Sequence, residues 1–146
     1  LGNIAGTITT LYQHGARNFL LVNVADFGQA PSVQILDQML PQYHFPAIAN
    51  QLANGFNQGL LQLQANLNNF PGMDIRIFDL YSLLESILDD PAAYALTETA
   101  VPCITPGSPP FVCKKANDYL FWDGLHVTKV VHKVMAEEAT EVLMAP

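Results

Sequence analysis

Asn18-Phe19-Leu20-Leu21-Val22-Asn23-Val24 is a short, nearly continuous apolar run, and Asp74-Ile75-Arg76-Ile77-Phe78-Asp79 reads as a second strand. An apolar run without alternation predicts a strand buried on both faces of a parallel sheet. Outward from these two runs the pattern turns helical. Leu1, Ile4, Ile8 and Leu11 recur at helical spacing before the first run, and Gly15 suits the residue that ends such a helix. Asp26 to Ser32 reads as a loop at the strand's C-terminal end. Phe45, Ile48, Leu52, Phe56, Leu60, Leu63 and Leu67 then keep one face of a long helix apolar until Asn68 to Gly72 stops it. Leu80, Leu83, Leu84, Ile87 and Leu88 mark a helix that Asp79 can cap and Asp90-Pro91 ends. From about Ala92 to Asp118 the chain is irregular, and a last helix runs from about Thr128. Strands alternating with helices predict an α/β fold whose parallel sheet is covered on both faces. Two strands are too few to complete such a sheet. The start at Leu1-Gly2, inside a helical pattern and without an initiator Met, predicts a piece of something longer or a mature chain after cleavage.

The chain has 146 residues, half of them apolar and only 13% charged, which suits one compact domain and argues against disorder. Six basic residues against thirteen acidic ones give a net charge of −7. That balance disfavours nucleic acid, whose phosphates need clustered Lys and Arg, and disfavours docking on anionic lipid. No apolar run approaches the roughly 18–20 residues that span a bilayer.

The two cysteines, Cys103 and Cys113, flank the segment CITPGSPPFVC. With no His ligand nearby they read as a disulfide rather than a metal site, and a CxxC redox motif needs closer spacing. A disulfide implies a secreted, periplasmic or extracellular protein.

Asp123 and His126 are the sharpest chemical feature. They lie three residues apart on a turn between Tyr119-Leu120-Phe121-Trp122 and the last helix. There the carboxylate can accept the proton of His126 Nδ1, so that Nε2 faces outward as a base. An Asp-x-x-His spacing alone is a weak signal, since it also fits a surface pair or a cap.

The stretch from Tyr119 to His132, YLFWDGLHVTKVVH, resembles the last motif block of the GDSL, or SGNH, lipases and esterases. In that family a Phe-Trp-Asp-x-x-His-Pro-Thr run carries the triad Asp and His, and a second His follows in the next helix. Val127 stands where the family usually has Pro, and is expected to loosen the turn. The resemblance extends upstream through Gly15 to Gly28, Phe56-Asn57-Gln58-Gly59-Leu60, Asp79-Leu80-Tyr81 and Asp90-Pro91-Ala92-Ala93-Tyr94. It implies a three-layer α/β/α flavodoxin-like parallel sheet, of which residues 1–146 form the C-terminal part of a single hydrolase domain.

The family's Gly-Asp-Ser nucleophile motif and Gly-x-Asn-Asp motif do not occur in this chain. Its four serines, Ser32, Ser82, Ser86 and Ser108, lie in no nucleophile setting. The resemblance implies a carboxylic ester hydrolase of the lipase, esterase, lysophospholipase or acyltransferase kinds, to which this chain supplies Asp123 and His126 as the catalytic pair. It further implies a lipid or short acyl ester as substrate, the N-terminal half of the same enzyme as partner, and no need of a metal or organic cofactor. A base without nucleophile or oxyanion donors loses most triad catalysis, so the chain alone is expected to be inactive.

Two other classes compete. One is a non-catalytic fragment or binding module with a vestigial Asp and His. The other is a nucleotide- or ligand-binding doubly wound domain, which the missing Gly-rich loop makes poor. His132, six residues from His126, is expected off its face and structural. His14 fits a helix end and His44 a turn, while Asp89-Asp90 and Glu137-Glu138 read as solvated faces. Phe121 and Trp122 read as core rather than as acyl-pocket lining. The cysteine loop ends shortly before Asp123 and is expected near the mouth of the site, as a stapled surface loop or a protease-sensitive lid.

Overall fold

The computed structural model describes residues 1–109 and 111–145, so Pro110 of the cysteine segment lies outside the described residues. The elements follow as α1 (Gly2–Gln13), β1 (Asn18–Val22), α2 (Pro31–Met39), α3 (Phe45–Leu67), β2 (Asp74–Phe78), α4 (Leu80–Asp89) and α5 (Lys129–Met144), with single short turns of helix between some of them. The strands pair in parallel, with Asn18 opposite Asp74 and Val22 opposite Phe78. A parallel pair needs a crossover of about a dozen or more residues, and α2 and α3 provide it.

Helices pack on both faces of this pair. On one face Ile8 of α1 and Leu67 of α3 meet Ile75, with Phe19 and Leu21 packed against them. On the other, Phe78 and Leu20 meet Leu83, Leu84 and Ile87 of α4 and Val131 of α5. Both faces of β1 are therefore covered by apolar side chains, whereas the face of β2 that carries Phe78 also carries Asp74 and Arg76, paired at 3.0 Å. Burial is less complete than expected for β1, whose Val22 is 48% exposed. Among the described residues β1 and β2 pair only with each other, and β2 buries Ile75 and Phe78.

The local signals act as their chemistry predicts. Gly15 takes φ +101°, a left-handed conformation costly for other residues, just past the end of α1. The Asp79 carboxylate accepts the Ser82 amide at 3.0 Å and caps α4. Asp90 caps the single turn that Pro91 opens.

Two departures are informative. Residues 31–39, read as the end of a loop and an unassigned stretch, form α2, with Pro31 in its first turn. Ile35 and Met39 of α2 face solvent while Val33 packs against the core, and Pro31 and Pro41 at its two ends read as loop punctuation. The apolar face of α3 is likewise not buried along its whole length. Leu60 and Leu67 are core, but Leu52 is 69% exposed. With 3.6 residues per turn, each i+4 step advances about 40°, so a stripe stepping by fours from Ile48 to Leu60 drifts by about 120°. The N-terminal half of α3 instead turns Asn50, Asn54 and Asn57 inward, all three with part-buried hydrogen bonds. Asn57 donates to the Val24 carbonyl and accepts the Val24 amide, both at 2.8 Å, and so anchors the chain where it leaves β1.

Candidate active site

The turn carrying Asp123 and His126 is held by the segments on either side of it. Phe121 and Val127 form an antiparallel bridge, and the Trp122 amide donates to the His126 carbonyl at 2.8 Å. The Thr128 amide bonds the Leu120 carbonyl, while its hydroxyl donates to the Tyr119 carbonyl at 2.7 Å. Thr128 is buried, and Leu120 and Phe121 are buried beside it. An apolar segment and a buried hydroxyl thus clamp the base of the turn immediately before α5 starts. Val127, expected to loosen the turn, takes part in the bridge that closes it.

Within the turn the Asp123 carboxylate does two jobs. Its Oδ1 accepts the Leu125 amide at 2.9 Å and the His126 amide at 2.7 Å. Its Oδ2 lies 2.9 Å from His126 Nδ1, with Oδ1 slightly further from the ring at 3.1 Å. Burial pushes the Asp123 carboxyl up, but the two backbone amides and the imidazole outweigh it and hold it below the usual carboxylate value. An ionised carboxylate against Nδ1 selects the tautomer with its proton there, which leaves Nε2 as the free acceptor. The His126 side chain is 73% exposed and that of Asp123 21%. The imidazole is therefore accessible, and the carboxylate against it is partly shielded.

The imidazole stands between two hollows. One is a half-enclosed, mainly apolar cavity of about 210 Å³, walled by the segment after β1, by α4 and by α5. The other is a more open hollow of about 680 Å³, lined by Ser32, Thr105, Pro106, Asp123 and Gly124 among others. Gly124 is fixed against α2 by the Ser32 amide, which donates to its carbonyl at 2.9 Å.

The cysteine segment lies close to the pair. Cys103 and Cys113 are joined as a disulfide with Cα atoms 5.5 Å apart. The Cys103 and Ile104 amides donate to the Phe121 and Trp122 carbonyls, and Thr105 and Pro106 line the open hollow together with His126. No group of His, Cys, Asp and Glu able to hold a metal ion occurs among the described residues. No helix there is long and apolar enough to cross a membrane.

Other assignments divide. Phe121 is core and also walls the apolar cavity, whereas Trp122, read with it as core, is exposed. His132, expected away from His126, lines the same cavity, because α5 starts directly beneath the turn. His14 is the C-cap of α1, and His44 leads into α3 at φ 53°. A polar cluster behind the site has no counterpart among the residues that spacing singles out. Asp26, buried, accepts the Gly28 amide and the Asn50 side-chain amide, both at 2.8 Å. Asn50 also donates to the Tyr81 hydroxyl. The one sequence signal for this cluster is the recurrence of Asn50, Asn54 and Asn57 along α3, which by itself reads as a face meeting water.

A family model described as GDSL-like Lipase/Acylhydrolase matches residues 1–139. The anther-specific proline-rich protein APG of Arabidopsis thaliana is 29% identical over 154 residues, covering 95% of this chain and 28% of that protein. GDSL esterase/lipase 1 of the same plant is 26% identical over 155 residues, covering 94% of this chain and 41% of that protein. The chain thus spans less than half the length of these relatives.

Proposed function

Because the chain belongs to the GDSL-like lipase/acylhydrolase family, we propose that it supplies the His and Asp of a Ser-His-Asp triad that hydrolyses carboxylic esters of lipid or acyl substrates. The observation that carries the reading is the 2.9 Å contact of Asp123 Oδ2 with His126 Nδ1 beneath an exposed imidazole.

The serine and the oxyanion donors come from an N-terminal portion of the same enzyme, and residues 1–146 are the C-terminal part of one domain. The helices on both faces of the parallel pair support a three-layer flavodoxin-like sheet in the whole enzyme, with the remaining strands added beyond β1 and β2. The disulfide favours a secreted or periplasmic location.

In the reaction, the serine Oγ attacks the ester carbonyl carbon while His126 Nε2 takes its proton. Asp123 stays ionised, holds the ring and stabilises the imidazolium. When the tetrahedral intermediate collapses, the bond to the alcohol oxygen breaks and Nε2 returns the proton to that oxygen. Water then repeats the sequence on the acyl-enzyme, or a second alcohol does so if the enzyme transfers acyl groups. Side chains, water and substrate suffice for every step.

The test is a fluorophosphonate serine probe followed by denaturing intact-mass spectrometry. An adduct on an N-terminal polypeptide, lost with activity in His126→Ala, supports the split triad. An adduct on Ser32, Ser82, Ser86 or Ser108 would overturn it. Full activity of His126→Ala would leave this chain a non-catalytic fragment.

A further inference from the structure

The two edges of the parallel pair are not equivalent. In the ladder between the strands the Asp74 amide donates to the Arg17 carbonyl and the Asn23 amide to the Phe78 carbonyl. With Asn18 opposite Asp74 and Val22 opposite Phe78, the backbone groups of Phe19 and Leu21 face β2, and those of Asn18, Leu20 and Val22 face away from it. The same alternation turns the backbone of Ile75 and Ile77 to the outer edge of β2. At Ile75 that edge is already occupied. The Asn68 side chain accepts the Ile75 amide at 2.8 Å, and the Gln64 side-chain amide donates to the Ile75 carbonyl at 2.7 Å. Both side chains come from the C-terminal end of α3. Among the described residues no such side chain meets the outward groups of Asn18, Leu20 and Val22. Resting on the reading above that an N-terminal portion completes the domain, we infer that the β1 edge from Asn18 to Val22 is the seam that receives the strand leading into α1, and that Gln64 and Asn68 seal β2 as the outer rim of the sheet.

Three observations carry the assignment. First, an unpaired strand edge invites pairing, and proteins block the edges that must stay free. The blocked edge here is that of β2, so β1 is left to accept a strand. Second, crossovers between parallel strands are right-handed in nearly all cases, so successive crossovers that use one face of a sheet advance in one direction. α3 lies in the crossover from β1 to β2, and α1 leads into β1; both pack on the face that carries Ile75. A strand entering through α1 therefore lies on the side of β1 away from β2. Third, the burial of the two strands is the reverse of what their present neighbours suggest. β2, the rim strand, buries Ile75 and Phe78, whereas β1, with its uninterrupted apolar run, buries no residue. An added strand makes β1 an inner strand. The length of the seam is also set. Val24 is the next residue to face outward, and the Asn57 side chain takes both its amide and its carbonyl, so the ladder closes after Val22. The partner is thus a parallel strand of roughly five residues. It continues a sheet covered on both faces, so it is an uninterrupted apolar run like β1 itself.

The test is residue-resolved hydrogen exchange of the complete enzyme, read by mass spectrometry with electron-transfer fragmentation. The Leu20, Val22 and Ile75 amides are expected to exchange at least about a hundredfold more slowly than in an unstructured peptide, and the Ile77 amide faster than all three. Leu20 and Val22 exchanging as fast as Ile77 would overturn the seam. Protection of both that vanishes on dilution to monomer would overturn it in favour of a second copy of the enzyme. Gln64→Leu with Asn68→Leu removes the seal and speeds Ile75 by about tenfold or more, while Leu20 and Val22 stay within about twofold; unchanged exchange at Ile75 would overturn the seal. Proline is tolerated in a strand only where its nitrogen faces no ladder partner. Val22→Pro, at an exposed side chain, therefore lowers the melting temperature by about 5 °C or more, and Ile77→Pro lowers it by less; the opposite order would overturn the assignment of the two edges. Exchange and melting are read without substrate, so an enzyme that hydrolyses no ester sinks the esterase reading and leaves this test standing.

Discussion

Replacing Asp123 by Asn separates orientation from folding because the two carboxylate oxygens have different partners. Oδ1 accepts two backbone amides, from Leu125 and His126, whereas Oδ2 has the imidazole Nδ1 as its one partner. In Asp123→Asn the side-chain oxygen must stay on the two amide donors, since an NH2 group cannot accept them. The new NH2 therefore takes the place of Oδ2, the oxygen nearer to Nδ1. It donates there, Nδ1 becomes the acceptor, and the ring proton moves to Nε2. On the proposed triad, a protonated Nε2 cannot take the serine proton. Loss of the correct tautomer in a triad costs about 10⁴ in kcat, or about 5.4 kcal/mol at 1.36 kcal/mol per tenfold. The turn keeps both amide bonds, so the stability change stays within about 1 kcal/mol. Asp123→Ala removes those bonds as well and costs about 1.5–3 kcal/mol of stability in addition to activity. The assay is kcat of the complete enzyme on a short ester, with urea unfolding of both variants and nitrogen NMR of the His126 ring. A kcat for Asp123→Asn within tenfold of wild type, or an Nδ1-protonated ring in that variant, refutes the reasoning.

Three further outcomes are expected. Replacing Cys103 and Cys113 together by Ser opens a ring with a sequence separation of 10, and the chain-entropy model gives a loss of about 3 kcal/mol; an unchanged melting temperature would contradict this. At Asp79, burial pushes the carboxyl up, but the Ser82 amide and hydroxyl, the Asn23 side chain and the Tyr81 amide outweigh it and hold it below 3.8. Its contribution is then fully present above the unfolded carboxylate value and is lost as pH falls through the lower folded one. Asp79→Ala should accordingly cost about 1–2 kcal/mol at neutral pH and progressively less below pH 3.8, read from urea midpoints across pH. At Gly28 an added Cβ would sit 2.6 Å from the Pro46 carbonyl oxygen, so Gly28→Ala must push α3 away from the loop after β1 and should lose about 1–3 kcal/mol by thermal melt.

The asymmetry between what was legible and what was not has a physical basis. Strand runs, caps, breakers and the Asp-x-x-His turn are local. Each depends on hydrogen bonds and side-chain spacing within a few residues, so the apolar run at Asn18, Gly15 after α1, Asp79 before α4 and the disulfide across CITPGSPPFVC could be read from order alone. The motif around Asp123 and His126 belongs to the same class, because the pair is joined through a single tight turn. What escaped was set by neighbours distant in the chain. α2 lies between Pro31 and Pro41, which read as loop punctuation, and only contact with distant segments, Val33 on the core and the Ser32 amide on Gly124, fixes it as a helix. The stripe of α3 drifts around its axis, and only packing against β2 selects Leu60 and Leu67 for the core while turning Asn50 and Asn57 towards the loop after β1. Leu84, Ile87 and Met135 look like ordinary core positions in sequence. Whether such residues close a core or leave a cavity beside His126 depends on how far α4 and α5 stand apart, a distance set by the tertiary packing of both helices on the sheet and by no single segment.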